Sequence, residues 1–370
     1  MDMLIVAGNA RSLLANRGDL IRELLARGLR VGAAVPRRDY LSEVEHLGVE
    51  VFPFDMGRTG VGPLQDLRTT AVLVRMMRQV RPKLVFGYTV KPVVYGGMAA
   101  RLAGVPRVYS MITGLGHAYT TESLRTRLLR ALISRLYRVG IGCADRVFFQ
   151  NPDDLQEFVD RGIVRDQSKI VRVNGSGVDT EAFAASPLPE GAPVFLFIGR
   201  LLTEKGIAEF VEAAADVRAR WPHARFVAVG PHDPELPHAI SAEQLAAWRE
   251  QGVVEFVGGV SDVRPWLGAC SVFVLPSYRE GTPRSVLEAM SVGRPVITSD
   301  APGCRETVND GENGFLVPPR ESAPLAAAMA RFLEEPALMP RMAAASRRLV
   351  EEKYDVRKVN RVILEAMELA

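Results

Sequence analysis

Two parallel, doubly wound α/β domains are what this sequence predicts, and three observations predict them. Short apolar runs alternate with segments of helical period along the whole chain, the rhythm that successive β-α-β crossovers impose. The rhythm is interrupted once, at residues 184–193, where Pro, Gly and Ala dominate as they do in a linker. At 370 residues the chain is long for one core and normal for two domains of roughly 150 to 200 residues each.

Taken in order, Met3-Leu-Ile-Val-Ala7 is an unbroken apolar run of strand length, followed by a loop at Gly8-Asn9 and a helix from about Gly18 to Ala26. Residues 30–35 and 49–54 read as strands, 64–80 as an amphipathic helix and 84–88 as the next strand. Strand signals recur at 107–111, 146–150 and 169–173, with helical patterns between them. Asn174-Gly-Ser-Gly-Val-Asp179 is turn chemistry, and the first domain is expected to span 1–183. The second domain, expected at 194–353, opens on Val194-Phe-Leu-Phe-Ile198. It continues with strands at 225–229, 253–257, 271–275, 295–298 and 314–317 and helices at 321–333 and 337–351. A last helical segment, 354–370, closes the chain.

With 48% hydrophobic and 24% charged residues, the composition is that of an ordinary soluble globular protein. Cys143, Cys270 and Cys304 lie far apart without His neighbours, which speaks against a disulfide framework or a zinc site. A reducing cytoplasm is the expected compartment. No run approaches the roughly 18 apolar residues of a membrane span, and no basic segment precedes the first strand as it would in a signal peptide. The charge is unevenly divided: residues 1–180 hold 26 Lys and Arg against 17 Asp and Glu, leaving 20 against 26 for the rest. From Arg68 to Arg138 thirteen basic residues meet one acid, Glu122, which points to an anionic partner. No nucleic-acid-binding motif accompanies the charge, so nucleic acid is not the expected partner.

In open α/β sheets, ligands bind beyond the carboxyl ends of the strands, and this singles out particular loops. Gly8 and Asn9 follow the first strand, but Gly8-Asn9-Ala10-Arg11 lacks the G-x-G-x-x-G spacing, which removes the best evidence for a nicotinamide cofactor. The strand ending at Pro276 is followed by Glu280-Gly-Thr-Pro-Arg-Ser-Val-Leu-Glu288. Glu280 and Gly281 belong to the loop, Thr282 is the expected N-cap, Pro283 the first helical residue, and Glu288 lies inside the helix. Amides at such a helix start bind anions, so two carboxylates with positive amides between them would suit a sugar, a diphosphate and a ribose. Arg200 and Lys205 follow the strand 194–198 in the same way. On spacing alone these residues are more often surface charge and ordinary helix punctuation than a binding site, in a chain with 43 acids.

Glu280 to Glu288, continued by Ala289-Met290, Gly293-Arg-Pro-Val296 and Pro302-Gly303-x-Arg305-Glu306, resembles the E-x-x-x-x-x-x-x-E signature of the retaining glycosyltransferases of family 4. Gly199-Arg200-Leu-Leu-Thr-Glu-Lys205-Gly206 is similar to that family's G-R-x-x-x-x-K-G segment. The resemblance implies the GT-B fold, in which two Rossmann-like domains face a central cleft and the last helix crosses back to the first domain. It further implies that Arg200 and Lys205 bind the donor diphosphate, that Glu280 orients the sugar and that Glu288 holds the ribose hydroxyls. Two cations at a strand end can neutralise a leaving diphosphate without a metal ion, and the Asp-x-Asp triplet that holds a metal in other glycosyltransferases is absent. No cofactor is expected. Gly259 and Val260, at another strand end, are where backbone groups would meet the base, expected to be uridine.

In the first domain Lys91-Pro-Val-Val-Tyr95-Gly96 and Ile112-Thr-Gly-Leu-Gly-His117-Ala-Tyr119-Thr120 resemble segments of capsule and lipid-linked-oligosaccharide transferases within family 4. Gly114 and Gly116 allow a close backbone approach, and the resemblance implies that His117 is the titratable group that meets the reacting sugar, with a solvated bystander as its other reading. The helical segment 123–138 mixes Arg125, Arg127, Arg130, Arg135 and Arg138 with leucines, which fits either a helix docked on its own sheet or one lying on a membrane. The charge surplus favours the membrane, placing the enzyme peripherally on the inner face of the cell membrane. The function expected is therefore transfer of a hexose or N-acetylhexosamine from a nucleotide sugar to a polyprenyl-diphosphate-linked saccharide. A nucleotide-sugar epimerase on the same fold and a non-catalytic nucleotide-sugar binder are the rival readings.

Overall fold

The apolar runs become two all-parallel sheets, each belonging to one compact unit of the chain. The computed structural model describes residues 1–37, 40–57, 62–115 and 124–369.

In the first unit the strands are β1 (Met3–Val6), β2 (Val31–Pro36), β3 (Glu50–Phe54), β4 (Leu84–Tyr88), β5 (Arg107–Ile112), β6 (Arg146–Phe149) and β7 (Ile170–Arg172), ordered β3-β2-β1-β4-β5-β6-β7. The helices between them are α1 (Ala10–Ala26), α2 (Leu41–Glu45), α3 (Pro63–Val80), α4 (Gly97–Ala103), α5 (Leu124–Gly142) and α6 (Pro152–Asp160). Both faces of the sheet are covered, which is why its strands read as continuous apolar runs and not as alternating ones. On one face Ile5, Ala33 and Phe86 pack with Leu13, Ile21 and Leu24 of α1. On the other, Leu4, Val6 and Val85 pack with Leu73 and Met77 of α3 and Ala99 and Ala100 of α4. Each of the larger apolar side chains among them contributes on the order of 1.5–3 kcal/mol through burial.

Helix α1 begins at Ala10, eight residues before the expected start at Gly18. The polar residues at its beginning disguise it in the sequence. Asn9 supplies the N-cap by accepting from the Ser12 amide at 3.0 Å, and Leu13 already faces the core.

The second unit has β8 (Val194–Ile198), β9 (Arg225–Val229), β10 (Glu255–Gly258), β11 (Val272–Leu275), β12 (Val296–Ser299) and β13 (Gly314–Val317), ordered β10-β9-β8-β11-β12-β13. Its helices are α7 (Ile207–Arg220), α8 (Ala242–Gln251), α9 (Arg264–Ala269), α10 (Arg284–Ser291), α11 (Ser322–Glu334) and α12 (Leu338–Leu349), which runs into a π turn at Val350–Tyr354. The final helix is α13 (Val356–Ala366); its Val359, Ile363 and Leu364, with Met367 just beyond, are buried in the core of the first unit beside α1.

The chain divides between Ser176 and Gly177 and again between Lys358 and Val359, not at the Pro- and Gly-rich stretch 184–193. Two buried or half-buried arginines explain where that stretch belongs. Arg294, fully buried, donates to the carbonyls of Ser186, Pro187, Leu267 and Gly268 at 2.9–3.0 Å and to Ser186 Oγ at 2.7 Å. Arg347 donates to the carbonyls of Thr180 and Phe183, each at 3.1 Å. Val178 exchanges backbone hydrogen bonds of 2.9 Å with Tyr354 and Val356. A composition typical of linkers thus covers a segment tied to the second unit by charge-assisted hydrogen bonds.

Candidate active site

A sheet whose strand order reverses leaves a crevice where neighbouring connections depart in opposite directions. In the second unit that point lies between β8 and β11, and the loops after these two strands carry Arg200, Lys205 and Glu280. Contacts bring the loops together. Gly206 has a φ of 73° and approaches Pro276 so closely that an added Cβ would stand 2.1 Å from the Pro276 carbonyl oxygen. The Tyr278 amide donates to the Glu204 carbonyl at 2.9 Å. As a result Lys205 Nζ and Glu280 Oε1 form a direct ion pair, and Ser277 Oγ donates to the same oxygen at 2.9 Å. Both members are largely screened from water, their side chains 18% and 14% exposed.

The Glu280 loop is held from behind by Pro302 and Gly303. The Glu280 amide donates to the Pro302 carbonyl at 2.9 Å, and Gly303, at φ 80°, leaves no room for a side chain: a Cβ there would lie 2.1 Å from the Glu280 carbonyl oxygen. Cys304 is buried next to them, and burial, followed by the negative charge of Glu280, pushes its thiol well above the usual range. It is a neutral filler of the site floor, not a nucleophile. Burial and the hydrogen bond to Glu209 likewise hold the Tyr278 hydroxyl protonated; it donates to Glu209 Oε1 at 2.5 Å.

The remaining expected residues of this unit are placed as follows. Arg200 is exposed, with no ion pair or side-chain hydrogen bond among the described residues. Helix α10 starts at Arg284 with Pro283 as its N-cap residue, one position later than expected, and Thr282 Oγ1 donates to the Gly281 carbonyl at 2.9 Å instead of capping the helix. A proline at this position has no amide to donate but presets the backbone angle of the turn. Glu288 is buried within α10 and accepts from Arg284 Nε at 2.7 Å. Gly259 abuts Pro231, and Val260 packs on the edge of the second core. Ser277 and Arg284 had no signal of their own in the sequence, because neither is informative until the fold brings it to a carboxylate.

In the first unit the reversal falls between β1 and β4. Gly8, after β1, lies against Thr89, after β4: a Cβ on Gly8 would stand 2.9 Å from Thr89 Oγ1. Asn9 is the N-cap of α1, so its side-chain oxygen serves the helix. Lys91 Nζ donates to Asp66 Oδ1 at 2.9 Å, and Tyr95 Oη donates to Asp66 Oδ2 at 2.9 Å. Asp66, from the first turn of α3, was missed in the sequence, where nothing links it to a lysine 25 residues on. Gly114 follows β5 in the same edge, with a φ of 106°. Gly116 and His117 lie outside the described residues.

Helix α5 buries Tyr137 and Ile141 but leaves Leu128 75%, Leu129 39% and Leu132 44% exposed, together with the exposed Arg127 and Arg135. Arg138 is engaged elsewhere, donating to the carbonyls of Gly162 and Arg161 at 2.9 Å, and the side chain of Arg125 lies outside the described part. Leu64 and Leu67, on the first turns of α3, are 76% and 68% exposed. No helix among the described residues is long and apolar enough to cross a membrane.

Comparison with known proteins covers both units. Residues 17–174 match the glycosyl transferase 4-like domain family, and residues 192–335 match the family of glycosyl transferases group 1. The chain is 28% identical over 332 residues to the N,N'-diacetylbacillosaminyl-diphospho-undecaprenol alpha-1,3-N-acetylgalactosaminyltransferase of Campylobacter jejuni, covering 86% of each. It is 28% identical over 295 residues to the UDP-Gal:alpha-D-GlcNAc-diphosphoundecaprenol alpha-1,3-galactosyltransferase of Escherichia coli, covering 76% of this chain and 73% of the relative. Among solved structures, Anabaena HepE in complex with UDP superposes with a TM-score of 0.78 at 20% identity over the full length of both chains. Sucrose-phosphate synthase of Thermosynechococcus elongatus gives 0.80 at 19% identity, covering 100% and 98%.

Proposed function

Because the chain belongs to the glycosyltransferases, of family 4 and GT-B fold, we propose that it moves a hexose or N-acetylhexosamine from a UDP-sugar to a polyprenyl-diphosphate-linked saccharide, with retention at the anomeric carbon. The observation that carries this reading is the Lys205–Glu280 pair at the β8/β11 reversal, with the exposed Arg200 on the same loop. The acceptor class is supported by the two undecaprenyl-diphosphate relatives, whose names specify alpha linkages. From an α-linked UDP-sugar, an alpha product means retention.

In a nucleotide sugar the anomeric carbon is already activated, so the enzyme must stabilise negative charge gathering on the diphosphate and positive charge on an oxocarbenium-like sugar. Lys205 can do the first while staying bonded to Glu280, since an ammonium has three N–H groups and the ion pair uses one. Arg200 adds a second cation with a fork suited to phosphate oxygens. Glu280 orients the sugar hydroxyls and lends negative charge near the oxocarbenium. The acceptor hydroxyl enters on the face that the diphosphate leaves, and a phosphate oxygen receives its proton. Glu288, steadied by Arg284, binds the ribose hydroxyls. Gly281, Thr282 and Pro283 line the diphosphate side, and Gly259 and Val260 lie toward the base. The exposed leucines and arginines of α5 hold the enzyme on the anionic inner face of the cell membrane, where the acceptor lipid resides.

The test is a matrix of labelled UDP-sugars against lipid-diphosphate saccharides, with and without EDTA. Transfer to an alpha-linked product, undiminished by EDTA, is the expected outcome. Epimerisation of donor without transfer, or transfer only to phosphate-free acceptors, would reject the assignment.

A further inference from the structure

At the reversal of the first sheet stands a charged cluster for which the donor chemistry has no use. Asp66 is nearly buried, its side chain 3% exposed, and it accepts three hydrogen bonds: from Lys91 Nζ at 2.9 Å, Tyr95 Oη at 2.9 Å and the Gly62 amide at 3.2 Å. Lys91, 16% exposed, is its more open end. A lysine ammonium has three N–H groups, and among the described residues Lys91 uses one.

The backbone around the cluster is unusual in two ways. Thr89, two residues before Lys91, sits at φ 67°, a left-handed conformation that is strained for a β-branched residue. Residues Pro92–Gly96 then form a π turn, a feature that recurs at functional sites, and Lys91 and Tyr95, four positions apart, reach the same carboxylate. The surroundings are also cut back: an added Cβ on Gly57 would lie 3.3 Å from Lys91 Nζ. Burial, followed by the hydrogen bond to Asp66, raises the Tyr95 hydroxyl well above its ordinary range, so it remains a donor throughout the working pH range.

We infer that Lys91, held in place by Asp66 and Tyr95 at the carboxyl edge of β4, binds a phosphate of the acceptor's diphosphate, and that Asp66 and Tyr95 are positioning residues for that contact. The inference rests on the acceptor class proposed above. Its physical basis is that a near-buried carboxylate, whose charge is already shared among three donors, fixes the ammonium as a point charge without occupying all of its N–H groups. An ammonium so fixed, at the edge where open α/β sheets take their ligands, suits a phosphate oxygen better than a neutral sugar hydroxyl.

The experiment compares two acceptors carrying the same saccharide, one on a short prenyl diphosphate and one as a phosphate-free octyl glycoside, in the full-length enzyme. For Lys91→Met the KM for the diphosphate acceptor is expected to rise at least 10-fold, while the KM for the octyl glycoside and for the UDP-sugar stay within about 2-fold. Lys91→Arg should recover most of the loss, and Tyr95→Phe should show a smaller rise confined to the diphosphate acceptor. If Lys91→Met is poorly folded through the unpaired Asp66, the double variant Lys91→Met/Asp66→Asn removes that charge and carries the same expectation. An equal rise for both acceptors, a rise in the UDP-sugar KM instead, or no change in a folded variant would each overturn the inference. Wild-type enzyme that uses no diphosphate-linked acceptor at all would overturn the acceptor class itself, a failure visible before any variant is made.

Discussion

Lys205 and Glu280 are 75 positions apart in the chain and share one ion pair, so neither can be altered without changing the other. Removing Lys205 leaves a half-buried carboxylate with the Ser277 hydroxyl beside it, and removing the Glu280 charge frees the ammonium from its anchor. We therefore expect Glu280→Gln and Lys205→Ala each to lower kcat at least 100-fold, about 2.7 kcal/mol of transition-state stabilisation. Because the two act as a unit, the double variant should be little worse than either single one; additive losses in a double-mutant cycle would show that they act independently. Arg294 illustrates the opposite outcome for a residue within the same family-like segment. Its guanidinium is fully buried and donates to backbone carbonyls, and burial lowers its pKa, so it supports the fold and does not meet substrate.

Two loops and the backbone that holds them carry the candidate site of the second unit. The 280–281 turn keeps its place because Gly303 presses against it, and this contact requires both a left-handed backbone and the absence of a Cβ. Gly303→Ala is expected to lower kcat more than about 10-fold and to cost roughly 1–3 kcal/mol of stability, since the 280–281 backbone must move to admit the methyl group. Gly311 is the control: its φ is 77°, but a Cβ there meets nothing within 4 Å. Gly311→Ala should lose stability alone, seen as a fall in Tm with kcat unchanged. Equal kinetic effects from the two substitutions would mean that Gly303 acts only through general stability.

Across the whole molecule, the excess of positive charge in the first half and the open face of α5 make one prediction about location. Arg127 and Arg135 are exposed among exposed leucines, whereas Arg138 is engaged by backbone carbonyls, so Arg127→Gln/Arg135→Gln is the informative double variant. At about 1 kcal/mol for each cation near an anionic leaflet, liposome binding should weaken roughly 30-fold, with turnover on a soluble acceptor analogue unchanged. Raising the salt should imitate the substitutions, because the attraction decays within a Debye length. Liposome binding indifferent to both would assign the surplus another purpose. At the same scale the sequence by itself determined the fold class, the approximate position of every strand and the strand-end loops in which Lys205 and Glu280 stand. Strand runs and helical periods are written in neighbouring residues, and the carboxyl-end rule needs only the strand ends. Tertiary structure alone decided that Lys205 meets Glu280, that Asp66 meets Lys91, that α1 starts at Ala10, that α10 starts after Pro283 and that 184–193 belongs to the second unit. These depend on which strands lie side by side and on where a long polar side chain finds its partner. Local periodicity carries no record of either, since both are set by contacts between residues distant in the chain.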